Sequence, residues 1–477
     1  MAPGHMIPMI DIAKLLAQRG VLVTIVTTPI NAQRFSNSIN RAIESGLKIQ
    51  LLKIRFPSLE AGLPEGCENL DMLPSLNMAT NFFVALNLFK QEVEESLKDV
   101  KPKPSCLISD MGLPWTTKIA KRFHIPLFVF HGTCCFSLLC SYNILISKIR
   151  DDISSDTEYF EVPGLPDRIE VTKAQTSITT NVNSSALKDV ADQIREVDET
   201  SYGVVVNSFE ELELEYVKEY RKAKGEKKVW CVGPVSLCNR ENSDKAERGN
   251  TFSIDQQYCL NWLDSCKPRS VIYASFGSLS RLPPLQMMEL AFGLEASERP
   301  FIWSIGGGGQ LDVLEKLISE NGFEERIKGR GVLIRGWAPQ VLILSHQAIG
   351  GFLTHCGWNS ILEGISAGLP MVAWPQFAEQ FYNEKLIVKV LKIGVTVGVE
   401  VPVKWGEEEK AGILVKRDAV KKALDELMDE GKAGQERRRR AGELGEKANK
   451  AIEEGGSSHQ NLTLLIQDIR DSKVRNM

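Results

Sequence analysis

Several common signatures are missing from this chain of 477 residues. Its ten cysteines form no CxxC pair and no His/Cys cluster at zinc spacing, which excludes the usual structural zinc modules. Cys134, Cys135 and Cys140 lie in apolar sequence and read as buried thiols, so a reducing compartment is expected. No apolar run reaches the length of a membrane span: IPLFVF from Ile125 and CCFSLLCSYNILI from Cys134 are divided by His131-Gly132-Thr133. The first residues carry no basic region followed by an apolar core and a small-residue cleavage site, and a soluble, cytoplasmic protein is the expectation. On that expectation the sequons Asn183-Ser184-Ser185 and Asn461-Leu462-Thr463 carry no meaning. An excess of charge of either sign is missing as well. A formal net charge of −4 gives no electrostatic reason to expect nucleic acid or an anionic membrane surface. The basic run Arg437 to Arg440 is flanked by Glu436, Glu443 and Glu446 and reads as a solvated helix face. There is no GxGxxG followed by an acid, which argues against a nicotinamide-dependent oxidoreductase. The Gly306 to Gly309 run has no Walker lysine and is expected to be a flexible surface turn.

What is present is an α/β pattern repeated from end to end. Apolar runs of strand length, VLVTIVTT (21–28), LKIQLLKI (47–54), SCLISD (105–110), IPLFVF (125–130) and YGVVVNSF (202–209), alternate with amphipathic segments that suit crossover helices. The series resumes with SVIYASF (270–276), PFIWSI (300–305), GVLIRGW (331–337), GGFLTH (350–355) and PMVAWP (370–375). Two Rossmann-like, doubly wound domains are therefore expected, and the chain is too long for one ordinary core. The boundaries predicted are an N-terminal acceptor-binding domain over 1–235, a polar linker over 236–251, a donor-binding domain over 252–457 and a C-terminal helix over 458–477. Open α/β sheets bind ligands at the carboxyl ends of their strands, so a site in a cleft between the two domains is expected.

The most informative segment is Trp337 to Gln380, WAPQVLILSHQAIGGFLTHCGWNSILEGISAGLPMVAWPQFAEQ. Gly350 to His355 reads as a strand, Cys356 to Trp358 as a tight turn, and Asn359 to Ala367 as a helix. A helix start after a strand presents backbone N–H groups and the positive end of the macrodipole, which bind phosphate without a P-loop. Gly357 lets backbone approach a ligand, and Trp337 offers a flat aromatic plate. Structural readings stand beside these. Ser360-x-x-Glu363 also fits a capping box, Trp337 taken alone could be a core aromatic, and Glu379 could complement a helix dipole.

This block resembles the signature of plant secondary-product UDP-glycosyltransferases, glycosyltransferase family 1, nearly residue by residue. The wider sequence, with AQRGVLVTIVTTP, AIESGLKIQLL and EEGGSSHQNL, is similar to the group that acts on flavonoids, terpenoids, brassinosteroids and cytokinins. The resemblance implies the GT-B architecture and a donor site in which Trp337, with Ala338 beside it, stacks on uracil while Gln340 and Glu363 hold the ribose hydroxyls. It implies that His355, Gly357, Asn359, Ser360 and Ser278 meet the diphosphate, and that Trp358, Glu379 and Gln380 face the hexose. Glutamine at 380 resembles the glucose-using members, whereas histidine there is associated with galactose use. UDP-glucose is then a co-substrate, with no other cofactor. No Asp-x-Asp motif stands near the block, so no metal is expected, helix N–H groups and hydroxyls replacing it.

The same resemblance makes His5, in Pro3-Gly4-His5-Met6-Ile7-Pro8 before a helix expected over Met9 to Gln18, the catalytic base. Asp110, closing SCLISD, is the acid that orients it. One departure is plain: family members have about ten residues forming a first strand ahead of the histidine turn, and here only Met1 to Pro3 precede Gly4. That strand is expected to be missing from the N-terminal sheet, leaving backbone groups unpaired beside His5. The segments Phe56 to Leu76, Phe82 to Phe89, Met111 to Trp115, His131 to Ile146 and Thr176 to Ala186 are expected to border the acceptor. Their Phe, Leu and Met content suits a small lipophilic alcohol or phenol, although such residues are more often core. The expected function is transfer of glucose, with inversion, to a hydroxyl of a lipophilic plant metabolite by a monomeric enzyme. The alternative is a shortened, non-catalytic relative that kept the donor site.

Overall fold

The computed structural model describes residues 1–176, 185–225, 227–249, 256–306 and 311–475. Asn183 and Ser184 of the first sequon, Gly307 to Gly309 of the glycine run, most of Thr176 to Ala186, and residues 250 and 251 of the expected linker lie outside them. The chain divides into two compact units. One gathers Met1–Cys135, Val182–Asn250 and Asn449–Met477; the other gathers Phe136–Asn181 and Thr251–Ala448.

Helix α1 (Pro3–Gln18) opens the first unit, and the backbone N–H groups of His5 and Met6 both reach the Ala2 carbonyl at 2.9 Å. The helix thus starts six residues before the expected Met9, and His5 lies within its first turn. Pro3 and Pro8 made the stretch read as a turn. Pro3, however, occupies an early helical position where a missing N–H is harmless. The strands that follow are β1 (Val23–Thr27), β2 (Ile49–Lys53), β3 (Leu107–Asp110), β4 (Leu127–His131), β5 (Tyr159–Glu161), β6 (Glu170–Thr172), β7 (Gly203–Val206) and β8 (Lys228–Cys231). Strands β3, β4, β7 and β8 form a parallel sheet in the order β3-β4-β7-β8. Strands β1 and β2 pair only with each other, also in parallel. Among the described residues no strand pairs with the second edge of β1 or with the edge of β3 away from β4. The interruption expected from the sequence therefore falls between these two edges. Ile12 and Leu16 of α1 pack with Val23 of β1 and Ile108 of β3 in one apolar cluster, so the helix covers both pieces.

The stretch expected as a linker is structured up to residue 249. It forms a 3-10 turn (Val235–Cys238) and a short helix (Asn242–Ala246). Its polar residues serve α1: Arg248 binds the buried Asp11 at 2.6 Å, Asn239 donates to the same carboxylate at 2.8 Å, and Lys14 donates to Asn239 at 2.9 Å. Arg41 pairs with Asp244 at 2.9 Å and with Glu247. Polar composition here marks internal pairing rather than free solvation.

The second unit holds the antiparallel β5–β6 hairpin and six parallel strands: β9 (Val271–Ser275), β10 (Phe301–Ile305), β11 (Gly331–Arg335), β12 (Ile349–Thr354), β13 (Met371–Ala373) and β14 (Gly394–Thr396). Their order is β11-β10-β9-β12-β13-β14, and the central β9 and β12 are buried at every position, as an all-parallel sheet requires. Helix α2 (Cys135–Ser147) crosses the division, with all but its first residue in the second unit. Helices α3 (Trp358–Ser366) and α4 (Gln380–Lys385) follow β12 and β13. Helix α5 (Ser457–Arg475) belongs to the first unit, where Leu462, Leu465 and Ile466 join the cluster of Phe128, Trp230 and Val232.

A two-stranded sheet half-buried along β1 should open more readily than the four-stranded sheet, whose β4 and β7 are buried throughout. Hydrogen exchange is expected to run at least about tenfold faster at the amides of β1 and β2 than at those of β4 and β7. Equal protection of the two sheets would contradict this account.

Candidate active site

The donor candidates of the second unit lie in the segments that follow the carboxyl ends of four strands. Ser278 follows β9, Trp337 follows β11, His355 follows β12, and Glu379 and Gln380 follow β13. The parallel sheet therefore gathers on one edge residues that are up to a hundred positions apart.

The centre of that edge is the turn from β12 into α3. Cys356 is held at φ +64°, a left-handed conformation that costs a non-glycine residue on the order of 1–3 kcal/mol. The His355 ring lies between two glycines: a Cβ at Gly277 would come 2.6 Å from it, and one at Gly357 would come 2.3 Å from it. Gly277 also adopts φ +71°, so conformation and space both demand glycine there. His355 Nδ1 is buried with no hydrogen-bond partner among the described residues. Burial pushes this imidazole down to about 4, the Ser275 backbone carbonyl only partly offsetting it, so the ring is neutral at pH 7.

Helix α3 begins at Trp358 with Gly357 as its N-cap, and no side chain caps it. Ser360 and Glu363 consequently lie inside the helix and do not form a capping box. Both instead receive Gln340, whose Nε2 donates to Ser360 Oγ at 3.1 Å and to Glu363 Oε2 at 2.8 Å. Trp337 is half-buried two residues after β11, beside the buried Ala338. Trp358, the first residue of α3, is only 1 % exposed, so its indole packs in the interior. Asn359 and Glu379 are half-buried, and Gln380 is buried with its Oε1 accepting from the backbone N–H groups of Gln376 (2.8 Å) and Phe377 (3.2 Å). With its carbonyl oxygen committed to the chain, Gln380 can offer a ligand its amide donors.

Two residues that the sequence did not single out complete the turn. Asn383, on α4, donates from Nδ2 to the Cys356 carbonyl at 2.9 Å, and Ser137 of α2 donates to Asn383 Oδ1 at 2.7 Å. No sequence pattern marks either one, because Ser137 and Asn383 stand 246 positions apart.

In the first unit His5 and Asp110 come together, with Nδ1 to Oδ2 at 2.6 Å. The Gly112 N–H donates to Asp110 Oδ1 at 2.8 Å, so the carboxylate oxygen that does not face His5 is also held. Burial works against the charged carboxylate, but the charge and hydrogen bond of His5, aided by Gly112, hold Asp110 below its ordinary range. A Cβ on Gly132, the residue after β4, would rest 3.6 Å from the His5 ring, so the ring packs where β3 and β4 both end. The His5 side chain keeps 40 % of its surface exposed. Of the expected acceptor-bordering aromatics, Phe56, Phe82, Phe89 and Trp115 are buried against one another and form core. Among the described residues no His/Cys/Asp/Glu group is arranged to hold a metal ion. No helix among them is long and apolar enough to cross a membrane.

A neutral histidine and a helix start thus share one edge of the parallel sheet with a carboxylate and two amides, and the first unit holds a histidine–aspartate pair. The family described as UDP-glucoronosyl and UDP-glucosyl transferase matches residues 255–414. UDP-glycosyltransferase 73C5 of Arabidopsis thaliana is 57 % identical over 472 residues, 99 % of this chain and 95 % of the relative. UDP-glycosyltransferase 73C25 of Barbarea vulgaris is 56 % identical over 470 residues, 98 % and 94 % respectively. The solved structure of Glycyrrhiza uralensis UGT73P12, complexed with glycyrrhetinic acid 3-O-monoglucuronide, aligns with a TM-score of 0.89 at 37 % identity, covering 100 % of this chain and 95 % of that one. The chain belongs to the plant UDP-glycosyltransferases and has their GT-B fold of two Rossmann-like domains.

The His355 shift has a measurable sign. Between pH 6.5 and about 4 the unfolded chain binds a proton at this ring that the folded chain does not, so stability is full above 6.5 and falls as pH drops toward 4. Urea unfolding of the parent and of His355→Gln is expected to show the difference shrinking by up to about 3 kcal/mol over that window. Parallel pH profiles for the two proteins would refute a buried neutral ring.

Proposed function

We propose that this UDP-glycosyltransferase moves glucose from UDP-glucose, with inversion and without a metal ion, to a hydroxyl of a small lipophilic plant metabolite in the cytoplasm. The observation that carries the chemistry is the His5–Asp110 pair at 2.6 Å. With Nδ1 turned to the carboxylate, Nε2 is the nitrogen that takes the proton from the acceptor hydroxyl. As that oxygen bonds to the anomeric carbon, the bond from carbon to the diphosphate oxygen breaks and UDP leaves with the electron pair. Asp110 stabilises the imidazolium that results. A single displacement on an α-linked donor yields a β-glucoside.

The second unit serves the donor. Trp337 stacks on uracil, and Gln340 with Glu363 binds the ribose hydroxyls. The start of α3, His355, Asn359, Ser360 and Ser278 meet the diphosphate, where N–H dipoles offset the charge that develops on UDP. The Trp358 N–H, Glu379 and the Gln380 amide face the hexose. Support for a lipophilic acceptor comes from relatives. Glycyrrhiza uralensis UGT73P12 was solved with glycyrrhetinic acid 3-O-monoglucuronide, Arabidopsis thaliana UGT89C1 with quercetin, and Phytolacca americana UGT2 with UDP-2fluoro-glucose and pterostilbene.

A second reading, a donor-binding relative without turnover, is favoured by the edge of β3 that pairs with no strand among the described residues, since Asp110 closes β3. One experiment separates the two. The parent chain, given UDP-glucose and a panel of flavonoid, stilbene and triterpenoid alcohols, is expected to form β-glucosides. His5→Ala is expected to lose about 10²–10⁴ of that rate while its UDP affinity stays within about twofold. Full turnover in His5→Ala would remove this residue from the mechanism. UDP binding by the parent with neither transfer nor donor hydrolysis would establish the second reading.

A further inference from the structure

We propose that Asn383 is a positioning residue for the diphosphate-binding turn, with Ser137 of α2 holding its carboxamide in place. This rests on the donor reading of the turn given above. Cys356 is a non-glycine residue at φ +64°, and such a backbone persists only where its surroundings over-determine it. The group that reaches its carbonyl from outside the turn is Asn383 Nδ2, at 2.9 Å. The other end of the same carboxamide accepts from Ser137 Oγ at 2.7 Å, and all three residues are buried. A hydrogen bond at one end of an amide polarises the other, so the serine orients the group and strengthens its hold on the carbonyl.

The position of this bond gives it a function beyond stability. Rotation of the Cys356–Gly357 peptide would withdraw the carbonyl from Asn383 and turn the Gly357 N–H, at the N-cap of α3, in the opposite sense. Asn383 also sits one turn after Gln380 on α4. The same side chain therefore ties the helix that presents Glu379 and Gln380 to the turn that precedes α3. It fixes the separation between the groups proposed for the hexose and those proposed for the diphosphate.

The test uses the full chain, UDP as the probe, calorimetric affinity and a separate urea midpoint. Asn383→Leu keeps the side-chain volume but neither donates nor accepts. It is expected to weaken UDP binding about tenfold or more, and Ser137→Ala about threefold in the same direction. Glycine adopts φ +64° without strain, so in a Cys356→Gly background the effect of Asn383→Leu on UDP affinity should fall to about threefold or less. A merely structural asparagine would lower the urea midpoint, leave the affinity of the folded protein alone and show no relief from the glycine. The proposal is overturned by folded Asn383→Leu with UDP affinity within about twofold of the parent, or by an equal loss in both backgrounds. Should Asn383→Leu not fold, unchanged UDP affinity in Ser137→Ala overturns it. A parent chain that binds no UDP would instead defeat the donor reading and this proposal with it.

Discussion

The turn between β12 and α3 is the constraint around which the second unit is built. A parallel strand must give way to a helix within three residues, His355 to Gly357, and the helix opens without a side-chain cap. One residue is forced into the left-handed region, and the preceding imidazole is wedged where only glycines leave room. The neighbours that enforce this come from far along the chain: Gly277 after β9, Asn383 on α4 and Ser137 on α2. A ring so enclosed stays neutral, and hydrogen bonding rather than charge is what it can offer a phosphate.

The first unit solves a related problem with opposite electrostatics. There a carboxylate at a strand end faces an imidazole that remains accessible, and the pair favours the charged form of the acid instead of suppressing charge on the ring. Both histidines gain their chemistry from the same architectural fact, that parallel strands deliver their carboxyl ends to one edge. They differ in enclosure: one ring lies between two glycines, the other packs against one and keeps an open side.

Much of this was legible in the sequence because strong periodic signals coincide with long elements. The ten apolar runs all contain strands, and the donor segment reads correctly as strand, turn and helix. What escaped has physical causes. Strand β8 mixes Lys228 and Trp230 into only four residues, while β5, β6 and β14 have three each, too short for a period to register. Pro3 and Pro8 disguised the start of α1: Pro3 suits the first helical turn, whereas Pro8 lies inside the helix and removes one of its backbone donors. Ser360 and Glu363 have the spacing of a cap, but the helix begins earlier than the spacing assumes, which releases both to meet Gln340. The stretch from 236 looked like a tether because its polar residues find their partners, Asp11, Lys14 and Arg41, more than two hundred positions away. Ser137 and Asn383 were invisible for the same reason.

The placement of Phe136–Asn181 with the C-terminal strands bears on how such enzymes can be recombined. A chimera that joins the amino-terminal half of one relative to the carboxyl-terminal half of another, cut at the polar stretch after residue 235, would be designed to exchange acceptor preference alone. It would also carry across α2, and with it the hydroxyl that seats Asn383. On the role proposed for Asn383, donor grip would then change along with acceptor choice, unless the graft keeps the native serine or moves its asparagine partner too.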